Sequence, residues 1–424
     1  MALAFALGNQ ASAYAQDTVQ LTLDSCLRYA HKHNTQILSA TLNEESAEVS
    51  LSQAKMRFMP SINASASHGY SWSDQTTRST SAGINGSLTL FNGLSNLRTL
   101  QQSRLSAEQN HLKMRQTENS VDEQIISAYL TILMNQEKLS YQEEVLATSR
   151  QQEEEGALKY QVGRLLESDY LLLQANYLSA KSEIENTRLT IEDNRFALAA
   201  LLGMDDNTVV GVVASVDSIK AADQSLEPAD SVIQQARRAM PDWQISEMNV
   251  TLARYNVQLA HSAFMPTVSL NAGTSYNDGA IISDDPVTNI NGGLNSSVTV
   301  GVSIPLLNQG SSLTQLKQSK IALREAELQH HQTLIDLEDN LQTMYLGMQQ
   351  ALNRFRASER LAEAYHASYD VYVVKYGEGA VTTVEMLQQQ ERYLSALNDY
   401  LQSKYSFILA EKQLDIYTGK EITL

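Results

Sequence analysis

The chain is short of the features that staple, interrupt or anchor most folds. A single cysteine, Cys26, in 424 residues excludes an intramolecular disulfide. It sits in a helical pattern with Leu23 and Leu27 and directly follows Asp24-Ser25, so it reads as a small buried apolar side chain rather than a lipid anchor. Prolines number only six, which lets helices run long. No apolar stretch approaches the roughly 20 residues that a membrane-crossing helix needs, so any crossing falls to strands. Positive charge is in the minority, with 31 Lys and Arg against 48 Asp and Glu and a net charge of −17. Without a basic stripe to neutralise phosphates, nucleic acid is excluded as a partner.

Catalytic signatures are missing as well. There is no Gly-rich phosphate loop and no nucleophile motif around any serine. His31-Lys32-His33 and His330-His331 lack a Cys or carboxylate at ligand spacing and fall in helical segments; they read as exposed helix histidines, not a metal site. The carboxylate runs Glu143-Glu144 and Glu153-Glu154-Glu155 read as solvated helix faces. No enzyme, cofactor or resident metal is expected.

What the chain does have is a tandem duplication. KYQVGRLLESDYLLLQANYLSA at Lys159 to Ala180 returns as KYGEGAVTTVEMLQQQERYLSA at Lys375 to Ala396, 216 residues on. Phe58-Met59-Pro60 returns 206 residues on as Phe264-Met265-Pro266, and Leu90-Phe91-Asn92 returns after 216 as Leu306-Leu307-Asn308. About ten residues are therefore added between these landmarks in the second copy, with the Gly279 to Gly293 stretch as the expected exposed insertion. Residues 1–15 end in Ala13-Tyr14-Ala15 and resemble a secretory leader that lacks its basic front. The repeats are then 16–225 and 226–424.

Each repeat opens with a short helix, a break, and a helix of about 22 residues ending at Pro60 or Pro266. After each proline the period becomes two. Ile62, Ala64, Ala66, Tyr70 and Trp72 alternate with Ser61, Asn63, Ser65, Ser67 and Ser71, and Val298, Val300, Val302 and Ile304 alternate with Thr299, Gly301 and Ser303. This predicts strands at about 61–73, 81–92, 266–277 and 294–305. Their length suits a tilted bilayer crossing, one face to lipid and a Ser, Asn and Thr face to water, with Tyr70, Trp72 and Tyr276 near an interface. Long proline-free helices follow at about 95–160 and 311–376. Ile125, Ile132, Leu139 and Leu146 recur every seventh residue, and Leu341, Met348 and Phe355 do so in the second copy, a coiled-coil period. Return helices at about 167–202 and 382–417 close on Gly203 and Gly419 as caps. A return helix and a 22-residue helix together match one long helix in length, and Asp205 to Leu226 would form a belt where they meet.

In this order of strands, long helices and tips the chain resembles the TolC-like outer-membrane efflux proteins. The paired turns Tyr160-Gln161-Val162-Gly163 and Tyr376-Gly377-Glu378-Gly379, each followed by an acid, Asp169 or Glu385, six residues past the aligned glycine, carry the resemblance most specifically. It implies a mainly α fold with a transmembrane β-barrel portion, four strands per subunit, and long coiled-coil helices forming a periplasmic α-barrel in a homotrimer. It further implies outer-membrane lipid around the strands, a periplasmic adaptor, and an inner-membrane pump of RND or ABC type. Val162, Gly163, Arg164, Gly377, Glu378 and Gly379 become docking positions, and Asp169, Glu385 and Gln388 line the periplasmic aperture. Gln388 stands where the family often carries a second acid; the remaining ring predicts cation preference, weakened by Glu385→Gln. The rival reading is a non-channel coiled-coil stalk of the cell envelope, which explains the helices but not the strands.

Overall fold

The structure, a computed structural model, describes residues 18–73, 76–204, 209–213, 227–282, 288–420 and 422. The expected leader at 1–15, most of the expected belt at 205–226 and residues 283–287 of the second hairpin lie outside the described residues. The order is β1 (Thr18–Leu21), α1 (Leu23–His33), α2 (Thr35–Met56), β2 (Ser61–Trp72), β3 (Thr76–Asn92), α3 (Ser95–Gln161), α4 (Glu167–Leu202), β4 (Val209–Val212), α5 (Ala229–Ala239), α6 (Pro241–Ser262), β5 (Thr267–Ile282), β6 (Thr288–Ser303), α7 (Ser311–Gly377) and α8 (Thr383–Thr418).

The duplication is kept to the residue in the helices. α1 and α5 have 11 residues each, α2 and α6 22, α3 and α7 67, and α4 and α8 36. Individual bonds are kept too. Tyr129 Oη donates to the Leu21 carbonyl at 3.3 Å and Tyr345 Oη to the Glu227 carbonyl at 2.8 Å, while Lys138 pairs with Glu183 at 3.2 Å and Arg354 with Asp399 at 3.5 Å. Cys26 and its counterpart Val232 are both buried, which gives Cys26 its role as an apolar core residue; burial pushes its thiol up to about 12.

Two compact units form, and neither is a repeat. One comprises 1–39, 115–240 and 336–424, the other 40–114 and 241–335, so each takes the same portion of both copies. In the first unit the seven-residue period buries Leu341 and packs Met348 and Phe355 with Phe407 and Val232, while Val145 packs with Tyr369, Tyr393, Leu397 and Leu401. Ile125 and Ile132 are buried, Leu139 and Leu146 half-buried. A buried charge crosses between copies: Lys404 Nζ donates to both oxygens of Glu137 at 2.9 Å, and Tyr405 Oη donates to Glu137 Oε2 at 2.8 Å. In the same unit β1 pairs in parallel with β4, a ladder that the sequence reading did not anticipate.

The second unit carries a four-stranded antiparallel sheet in the order β2-β3-β5-β6. Its register sorts side chains by face. Ala64 pairs with Ile84, Gly86 with Ala272, Ala272 with Val298, and Leu270 with Val300, on one apolar face. The opposite face holds Asn63 with Asn85, Ser67 with Ser81, Asn271 with Thr299, and Gly83 with Ser275. A Cβ on Gly83 would sit 3.0 Å from the Ser275 Cβ, so this polar face is also the crowded one, where glycine admits close approach.

The strands differ in extent from the alternation. β3 begins at Thr76 rather than about 81, and β5 runs to Ile282 rather than about 277. The added residues, Thr76 to Thr80 and Asp278 to Ile282, show no alternation of apolar and polar residues yet complete the backbone ladder. One consequence is an ion pair, Arg78 Nη2 to Asp278 Oδ2 at 3.3 Å, in the rows above the apolar band. β6 stops at Ser303 rather than at 305 because Pro305 has no N–H for a ladder. The added length of the second copy is therefore distributed: besides the longer β5, Ile304 to Asn308 lie outside the strand, where β3 runs straight to Asn92. Asn92 and Asn308 then start α3 and α7, accepting from the N–H groups of Asn96 at 3.2 Å and Ser312 at 3.5 Å.

Candidate functional site: the paired helix-hairpin tips

Both tips are built from the same hydrogen-bonded turn. Arg164 N–H donates to the Lys159 carbonyl at 2.8 Å, and Ala380 N–H to the Lys375 carbonyl at 2.8 Å, the six-to-one bond that ends a helix over a left-handed residue. Gly163 at φ +71° and Gly379 at φ +76° supply that residue. No atom within 4 Å would meet a Cβ at either, so backbone conformation alone calls for glycine there. Gly377 is different, for it is the last residue of α7 and has no positive φ.

The expected docking residues Val162, Gly163, Arg164, Gly377, Glu378 and Gly379 are all exposed. Beneath them the two tips share one floor: Leu173 and Leu165 of the first pack with Tyr376, Met386 and Val381 of the second. Lys159 Nζ lies 5.1 Å from the centre of the Tyr376 ring, a cation held against an aromatic face. Tyr160 and Tyr170 stack at 5.5 Å, and Tyr170 Oη donates to Glu153 Oε1 at 3.1 Å. The structure thus brings the two turns into a single surface with an apolar base and a polar, glycine-containing crest.

Past the turns the tips diverge. α8 starts with a capping box, in which Thr382 N–H donates to Glu385 Oε2 at 2.8 Å while Glu385 N–H donates to Thr382 Oγ1 at 3.3 Å. The backbone bond from Thr382 holds the Glu385 carboxyl below the usual carboxylate range. α4 has Leu166 at its N-cap and no side-chain cap bond. Asp169, in its first turn, is half-buried, whereas Glu385 and Gln388 are exposed.

Sequence reasoning missed the polar layer below the tips. Asn176 Nδ2 donates to Ser149 Oγ and to Gln390 Oε1, both at 3.1 Å, and Gln390 Nε2 donates to Ser149 Oγ at 3.2 Å. This joins α3, α4 and α8 through a buried network. Its signal was the Gln388-Gln389-Gln390 run, in which Gln390, not Gln388, turns inward. Among the described residues no helix is long and apolar enough to cross a membrane, and no group of three His, Cys, Asp or Glu is placed to hold a metal ion.

A family model described as "Outer membrane efflux protein" matches residues 27–204 and 232–420, both halves of the duplication. The chain is similar to the outer membrane protein TolC of Vibrio cholerae, 22% identical over 416 residues that cover 96% of this chain and 92% of that protein. It is similar to the cation efflux system protein CusC of Escherichia coli strain K12, 24% identical over 413 residues covering 91% and 83% of the two chains. Among solved structures, the outer membrane protein VceC of Vibrio cholerae shares the fold with a TM-score of 0.76 at 16% identity, covering 95% of this chain and 97% of that one.

Proposed function

Since the chain belongs to the outer membrane efflux protein family, we propose that it works as a passive trimeric channel, receiving substrate from an inner-membrane pump of RND or ABC type through a periplasmic adaptor. The observation that carries this reading is the sheet. Its four strands leave β2 and β6 as edges without a partner strand among the described residues, and its apolar face is open, with Ile62 71% and Val298 76% exposed. Such an apolar face suits lipid rather than water, but open strand edges are not stable in lipid unless strands from further copies close the barrel. Three copies supply twelve strands, and a threefold axis leaves one pore lined by the Ser, Asn and Thr face.

The tips are the adaptor-docking surface in this proposal, with Val162, Gly163, Arg164, Gly377, Glu378 and Gly379 presented for contact. Asp169, Glu385 and Gln388 line the aperture. Glu385 is already bonded to Thr382, so its charge is fixed in place beside the opening. The chain performs no chemistry on what passes; the pump supplies energy and choice. The deciding experiment is the molar mass of protein extracted from outer membranes, by light scattering with the detergent subtracted. Three times the subunit mass is the expected result, and a protein soluble as a monomer or dimer without detergent overturns the barrel.

A further inference from the structure

Each short helix ends with a basic residue that holds an acid on the long helix of its own copy. In the first copy His31 Nε2 lies 2.8 Å from Asp122 Oδ1; in the second, Arg237 Nη1 lies 3.4 Å from Glu338 Oε1. His31 and Arg237 are 206 residues apart, and Asp122 and Glu338 are 216 apart, the offsets of the short and the long helices themselves. The duplication has kept a clamp and changed its chemistry. Arg237 is charged throughout the range in which proteins fold, whereas an imidazole changes charge near neutrality.

The settings differ as well. The Arg237 and Glu338 side chains are 49% and 59% exposed, but that of Asp122 is only 10% exposed. An exposed pair adds little to stability, while a carboxylate withdrawn from water depends on its partner. We infer that the His31–Asp122 contact is a pH-dependent clamp, which loosens α1 from α3 as the pH rises through neutrality, while the Arg237–Glu338 contact holds α5 to α7 unchanged.

The acids around His31 act in one direction. From α3, Asp122 and Glu118 both favour the imidazolium, the hydrogen bond that Asp122 accepts most of all, and together they outweigh burial and raise the His31 pKa above its ordinary value. On α1 itself, Lys32 is adjacent and Arg28 is tied to Asp24. The end of α4, packed against α1 where Asn34 Nδ2 donates to the Leu201 carbonyl at 2.7 Å, has no basic residue in its last turn and buries Leu198, Ala199 and Leu202. A raised pKa means that the ionic contribution is complete below the unfolded value and is lost as the pH rises through the folded one. The clamp is thus strongest in acid. Its other end matters, because α1 follows directly on the β1 strand that pairs with β4.

The inference rests on the duplication and stands apart from the channel reading. It is tested by hydrogen–deuterium exchange on the detergent-solubilised full chain at pH 5.5 and pH 8, with protection factors corrected for intrinsic rates. Peptides spanning 23–33 and 229–239 are compared within each sample. The protection of α1 relative to α5 should fall about two- to fivefold at the higher pH, the scale of one modest charge pair. In His31→Arg that fall should vanish, and in Arg237→His α5 should acquire a smaller one of its own. A ratio that stays constant with pH in the natural chain overturns the clamp, and so does a fall that persists in His31→Arg.

Discussion

The sheet and the helical unit hold themselves together by opposite means. Along β2 every side chain from Ser61 to Trp72 is exposed on both faces, so the sheet is kept in order by its backbone ladder and by whatever lies against it. Phe355, Phe407, Leu341 and Met386 in the helical unit are 1% exposed or less, and that unit is stabilised from within. Apolar burial is the dominant favourable contribution to folding. The two regions should therefore respond very differently to the same kind of truncation.

Phe355→Ala probes the largest difference. Removing a fully buried ring costs about 3–5 kcal/mol, and Phe355 also contacts Tyr400 and Phe407 with ring centres 6.0 Å apart. Urea unfolding of the detergent-solubilised protein, followed by helical circular dichroism, should show a midpoint clearly below that of the natural chain. Val298→Ala in the sheet should leave that midpoint in place, since the Val298 side chain is removed from no water by this chain alone. Equal effects would mean that the sheet has a hidden core and would end the comparison.

Polarity, rather than size, is what the sheet should resist. Val300 and Thr299 are neighbours on β6 that face opposite ways, Val300 paired with Leu270 and Thr299 with Asn271. An arginine on the lipid face of a barrel costs about 2–4 kcal/mol near the middle of the bilayer. Val300→Arg should thus lower the yield of folded protein in outer membranes, scored by heat-modifiable migration on gels, while Thr299→Arg folds normally and alters conductance instead. If the order reverses, the assignment of faces is inverted, and if both are tolerated, neither face lies in lipid.

How much of this was written in the sequence depends on distance. The helices were legible because their signal is local: proline at the breaks, glycine at the caps, a seven-residue recurrence, and a second copy confirming each. Strand faces were legible for the same reason, through alternation at Ile62 to Trp72. Contacts between segments far apart in the chain were not. The β1–β4 ladder joins two four-residue segments, TVQL and VVGV, too short for a period to show. The tip floor unites Leu165 with Met386, over 200 positions apart, and each alone reads as an ordinary helical apolar residue. In the glutamine run, a 3.6-residue period says that one residue faces inward but not which, until α3 and α4 are in place. Glu137 likewise reads as one more surface carboxylate until Lys404 arrives from the other copy.

The smallest effect sharpens the comparison at the tips, where two glycines that look equivalent in sequence are not. Gly163 is left-handed, and alanine there pays about 1 kcal/mol for the conformation alone, with no clash to add because its surroundings are empty. Gly377 is helical and equally uncrowded, so alanine there should gain several tenths of a kcal/mol from higher helix propensity. Thermal unfolding of the two variants should move in opposite directions from the natural chain. Adaptor affinity, measured by surface plasmon resonance on the same samples, then separates backbone shape from side-chain contact: Gly163→Ala should weaken docking by deforming the crest, while Gly377→Ala weakens it only if the adaptor packs directly against that glycine. Loss of affinity in neither variant would remove the glycine crest from the docking surface and shift the contact to Arg164 and Glu378.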